Sequence, residues 1–90
     1  MARAYVTIAA HGKTGRLYTG VTGRLESGRP DGAMLVWVEE HPSLIQARRR
    51  GAAIRRWKRA CKIATIERVN PGWKDLSAGP PTRRRNQTPR

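Results

Sequence analysis

Between Arg48 and Lys62 the chain carries Arg48, Arg49, Arg50, Arg55, Arg56, Lys58, Arg59 and Lys62 with no acid among them; the next carboxylate is Glu67. On a helix, side chains three and four residues apart are neighbours, so Arg55 is expected to face Arg59 and Lys58 to face Lys62, and like charges so placed repel. Solvated helix faces ordinarily interleave acids with bases. A face of cations alone is expected to meet an anionic partner, and phosphate is the chemistry that suits it. The expected phosphate-contacting set is Arg48, Arg49, Arg55, Arg56, Lys58, Arg59 and Lys62.

The whole chain repeats that bias. Nineteen Lys and Arg stand against six Asp and Glu, a net charge of +13 with a pI near 11.7, in 90 residues that suffice for one domain. Nucleic acid, DNA first, is the expected partner, although an acidic protein or an anionic lipid would answer to charge alone. No apolar run approaches the roughly 18 residues a membrane span requires, and no signal-peptide core follows Met1-Ala2-Arg3, so a soluble, cytoplasmic protein without membrane association is expected. Cys61 is the single cysteine and is expected in the core. With only His11 and His41 beside it, a zinc-type cluster is excluded, which leaves hard cations held by carboxylate and phosphate oxygens.

These residues need elements to hold them. Tyr5 to Ala9 is short and β-branched and runs into His11-Gly12-Lys13-Thr14-Gly15, which has turn chemistry; Arg16 to Thr22 then alternates, with Leu17, Thr19 and Val21 on one face and Tyr18 and Gly20 on the other. Gly23 to Gly32 reads as a loop. Ala33 to Glu39 is continuously apolar, as a central strand covered on both faces would be. Ser43 can cap a helix, with Gln46 reaching back, and Leu44, Ala47, Gly51, Ile54, Trp57, Cys61 and Ala64 form one inward stripe along a helix or along a pair broken near Trp57. Asn70-Pro71-Gly72 ends the helical region. Trp73 and Leu76 are expected to dock back, and Ser77 to Arg90 reads as a basic disordered tail. The expected fold is α+β: residues 1–76 as one domain, a three-stranded antiparallel sheet against one or two helices from Ser43 to Val69, with Trp37, Ile54, Trp57 and Trp73 in the core.

Tyr5-Val6-Thr7-Ile8, Leu17-Tyr18-Thr19-Gly20-Val21-Thr22 and the helical stretch through Ile54-Arg55-Arg56-Trp57-Lys58-Arg59-Ala60 to Asn70-Pro71-Gly72-Trp73-Lys74-Asp75-Leu76 together resemble the small single-domain bacterial GIY-YIG proteins of endonuclease type. The resemblance spans Tyr5 to Leu76 with one gap. It implies a phosphodiester-hydrolysing ancestry, in which a glutamate holds a divalent metal, Mg or Mn, a tyrosine helps activate water and an arginine supports the scissile phosphate.

Carried over by position, Tyr18 matches the second tyrosine and Asn70 the late asparagine. Thr7 stands where the first tyrosine belongs, with Tyr5 two residues early on the same strand face. The family arginine falls on Gly28, and the helix that should bear it is replaced by the loop; Arg24 and Arg29 are the nearest substitutes. The helix histidine has no counterpart. The metal-binding glutamate aligns with Gly51, leaving Glu26, Glu39 and Glu40 as the candidate replacements. The expectation is a nucleic-acid-binding, GIY-YIG-like protein with catalysis lost or weak, with Tyr18, Tyr5 and Asn70 as the residues of any surviving site. The alternative is an endonuclease that works through substituted residues. Without the covering helix, the third strand is also expected to expose apolar surface, which would favour self-association.

Overall fold

Three β-branched residues, Val6, Thr7 and Ile8, hold the middle of β1 (Ala4–Ala10), in which every residue except half-buried Tyr5 is buried. The computed structural model describes residues 3–12, 14–24 and 32–76. β1 pairs antiparallel with both β2 (Leu17–Thr22) and β3 (Met34–His41), so the sheet order is β2-β1-β3. The expected central strand is therefore an edge. β3 reads as continuously apolar because both of its faces are covered, and that requirement is independent of its place in the ladder.

Register sorts the side chains. Val6, Ile8 and Ala10 share one face with their partners Val21, Thr19 and Leu17, while Tyr5, Thr7 and Ala9 share the other with Thr22, Gly20 and Tyr18. In β3 the pairing steps from Ile8↔Trp37 to Ala9↔Leu35, so Val36 is an inserted residue. This bulge lets Trp37 join the first face and Leu35 the second, although they are two residues apart.

The first face carries two helices, α1 (Leu44–Arg55) and α2 (Arg59–Val69). Ser43 caps α1, its hydroxyl accepting from the Gln46 backbone N–H at 3.3 Å. Ala47, Gly51 and Ile54 face the sheet, as expected. The stripe does not continue. Arg56 and Trp57 close α1 with bonds to Ala53 and Ile54 carbonyls three residues back, Lys58 is extended, and α2 restarts with Ile63 and Ile66 inward. The break resets the helical phase, which leaves Cys61 and Ala64 exposed and Trp57 half-buried; Leu44, in the first turn of α1, is also exposed.

Asn70 fastens the end of α2. Its side-chain amide donates to the carbonyls of Val36 (2.9 Å) and Lys74 (3.0 Å), and its Oδ1 accepts from the Lys74 N–H at 3.0 Å. This turn holds Trp73 at a φ of 54°, uncommon for a side chain of its size, with its ring buried and its Nε1 donating to Glu67. Leu76 then lies beside β3, its N–H donating to the Leu35 carbonyl at 2.7 Å, while the Leu35 N–H donates to Asp75. Leu76 packs with Ala9, Leu35 and Val38, and Tyr5 and Tyr18 lean on the same cluster.

The expected bare sheet face is not found: Thr7, Ala9, Leu35 and Val38 are all buried within one chain. The apolar side chains left exposed lie elsewhere, at Met34 on the end of β3 and at Leu44, Ile45 and Val69 on the helices. The tail, and most of the loop between Gly23 and Gly32, lie outside the described residues.

Because three polar contacts converge on one buried amide, Asn70→Ala should lower stability by about 3 kcal/mol, read as a lower urea midpoint. Asn70→Asp keeps the acceptor but loses both donors, and should recover only a minor part of that loss.

Candidate nucleic-acid interface

Sheet register separates the residues that the GIY-YIG resemblance would gather. Tyr18 sits opposite Ala9, while Tyr5 sits opposite Thr22 and Glu40, so Tyr18 and the Tyr5–Glu40 pair are four strand positions apart, ~13 Å along β1. Glu40 is paired with Arg3. Glu39 points to the helix face, where its carboxylate takes Arg50 at 2.9 Å and lies 2.8 Å from His41 Nε2. Asn70 is spent on backbone groups, so the structure makes it a staple where the resemblance implied a member of the site. Arg24 follows β2 at the end away from Tyr18. Glu26, Gly28 and Arg29 lie outside the described residues.

The matched metal position fails on sterics. Gly51 faces the sheet from α1, and a Cβ built on it would lie 2.8 Å from Val21 Cγ2. Val21 and Tyr18 belong to opposite faces of β2, so a carboxylate at position 51 would also be on the wrong side of the sheet. Among the described residues no group of three or more His, Cys, Asp or Glu side chains gathers. The residues at the matched positions therefore do not fit a divalent cation.

Tyr18 has instead a neighbour that the spacing did not reveal. The His11 ring stands 5.5 Å from it, tilted by 51°. The only hint was the hairpin register, which carries His11 back past Ala10↔Leu17 toward the start of β2.

The cations are deployed on the helix side. Arg48, Arg49, Arg56 and Lys58 are exposed and make no ion pair with a described residue. Arg55 is exposed but tethered, its guanidinium donating to the Thr19 carbonyl on edge strand β2 at 3.3 and 3.4 Å. Arg50 is taken out of the set by Glu39 and by the Trp57 ring, 5.2 Å beneath its guanidinium carbon. The break at Arg56–Lys58 also removes the expected helical repulsion of Arg55 with Arg59, since the two belong to different helices. The Lys58–Lys62 spacing survives as the first turn of α2, where the Lys62 N–H donates to the Lys58 carbonyl.

Arg59 and Lys62 do not simply continue that outward face. They line a cleft of about 410 Å³ with Thr14, Gly15, Arg16 and Leu17 of the β1–β2 hairpin. Nothing in the spacing singled out Arg16, because it is the hairpin's approach to α2, more than 40 residues on, that makes it a third cation there. α2 begins on Lys58 and Arg59 with no acid in its first turn and no side-chain cap, the reverse of what the positive end of a helix favours.

No known family model, curated protein or solved structure matches the chain. Among the described residues no helix is long and apolar enough to cross a membrane.

The tight contact at Gly51 has a measurable sign. In an ordinary helix interior Gly→Ala stabilises by about 1 kcal/mol, but here the added methyl meets Val21, and overpacking of this kind costs about 1–3 kcal/mol. Gly51→Ala should therefore destabilise the domain. The same substitution made in a Val21→Ala background should stabilise it, which thermal unfolding of the four proteins in the cycle would reveal.

Proposed function

We propose that this protein binds nucleic acid, DNA in the first instance, through the outward surface of α1 and α2, on a scaffold of GIY-YIG type whose hydrolytic site has decayed. The observation that supports the reading is that Arg48, Arg49, Arg56 and Lys58 are exposed together with no acid interleaved, on elements already anchored to the sheet by Ala47, Gly51 and Ile54. Such a surface gains from releasing the counterions condensed on a phosphate backbone, and the gain is largely independent of base sequence. Decay of catalysis is argued from the scattering of Tyr18, Tyr5, Glu40 and Asn70, and from the sterics at Gly51. Groups that act only as a constellation lose most of their effect when they are separated.

Replacing Arg48, Arg49 and Arg56 together by glutamine should weaken all duplex probes alike and reduce the slope of log K against log salt by about 3. Unchanged affinity would remove α1 from the interface. Failure of the unaltered protein to bind DNA at low salt would shift the reading to an acidic protein partner. With magnesium or manganese present, supercoiled plasmid should remain un-nicked above background; nicking abolished by Tyr18→Phe would instead establish an active enzyme.

A further inference from the structure

The cleft between the β1–β2 hairpin and the first turn of α2 has properties that the convex cationic face lacks. Three cations, Arg16, Arg59 and Lys62, line one concavity together with Thr14, Gly15 and half-buried Leu17. Lys62 is itself half-buried, and neither it nor Arg16 has an acid partner among the described residues. Holding Arg16 and half-buried Lys62 on one cleft with no acid partner for either among the described residues is unfavourable in the free protein, and an anion that enters relaxes the local field.

Size and charge narrow the anion. A recess of about 410 Å³ holds a phosphate with its attached sugar, but the full width of a duplex cannot enter it. An internal phosphodiester carries one negative charge, whereas a phosphate monoester carries about 1.5 to 2 at neutral pH and offers three terminal oxygens, the better match to three converging cations. The geometry points to this cleft as the seat of the terminal phosphate of a nucleic-acid strand, with Arg16 and Lys62 as its principal ligands. The assignment rests on the nucleic-acid reading above and adds to it a preference for strand ends.

The test uses short single-stranded oligonucleotides bearing a 5′-phosphate, a 3′-phosphate or hydroxyls at both ends, with circular single-stranded DNA as the probe that has no end. The unaltered protein should prefer one phosphorylated end over the hydroxyl form by about tenfold, and the two phosphorylated arms identify which end it reads. The double variant Arg16→Gln, Lys62→Gln should erase that preference while still binding circular DNA, which also shows that it is folded. The Arg48, Arg49, Arg56 variant should weaken every probe and retain the preference. Equal binding with and without an end phosphate overturns the cleft assignment and leaves the general interface intact. Failure to bind both circular DNA and duplex probes at low salt overturns the general interface; the cleft assignment then stands or falls on whether the phosphorylated oligonucleotide is still preferred.

Discussion

The contact on which the arrangement depends is the close approach of α1 to the sheet at Gly51, where the absence of a side chain lets Val21 and Val6 reach the helix backbone. A helix held this near buries Ala47 and Ile54 against the sheet and turns its remaining surface outward, and that surface carries Arg48, Arg49 and Arg55. The same approach brings Arg55 to the Thr19 carbonyl and, after the break, sets the first turn of α2 against the hairpin. The position that the GIY-YIG resemblance assigns to a metal ligand is thus one where an added side chain meets the sheet at once. Packing and catalysis make opposing demands on residue 51, and packing is the one met.

Local signals were legible where the chemistry is local. The β-branched run of β1, the alternation of β2, the Ser43 cap and the Asn70-Pro71-Gly72 stop all act within a few residues, and each stands where the pattern places it. The position of β3 was not legible, because an apolar run reports burial on two faces and carries no information about which neighbours pair with it. Nor was the phase of α2. A stripe counted at steps of three and four through Trp57, Cys61 and Ala64 keeps one phase even with a break allowed near Trp57, and the tight turn at Arg56 and Trp57 rotates everything after it.

The candidate site was legible as a composition and illegible as a place. Seven cations could be named from their spacing, but their division into an outward set, an Arg55 tethered to Thr19 and a pair lining the cleft depends on how β2 and the hairpin meet the helices. Glu39 is the acid that shapes the surface. By holding Arg50 and lying beside His41 at the end of β3, it withdraws one cation toward the Trp57 ring. Arg16 joins them only because the hairpin closes toward α2. Tyr18 and Asn70, which sequence alone would place in one site, are parted because one belongs to the far face of the sheet and the other is consumed in fastening the chain end.

A net charge of +13 on one small domain sets the binding reading within the same balance that governs folding. Like charges on α1 and α2 repel in the folded protein more than in an expanded chain, so the free protein forfeits stability to hold them together. Few acids offset this: Glu39 is committed to Arg50, Glu40 to Arg3 and Glu67 to the Trp73 indole, and each of these contacts serves the packing near it without neutralising the outward face. A polyanion laid across that face reverses the sign of the term, because it binds the folded arrangement of cations better than a chain in which they are dispersed. Exposed cations therefore cost the free fold and favour the complex, whereas the Gly51 contact and the Asn70 staple support both states alike. Such a division leaves the apolar core to specify the shape and, on the proposed reading, a polyanion to relieve the charge.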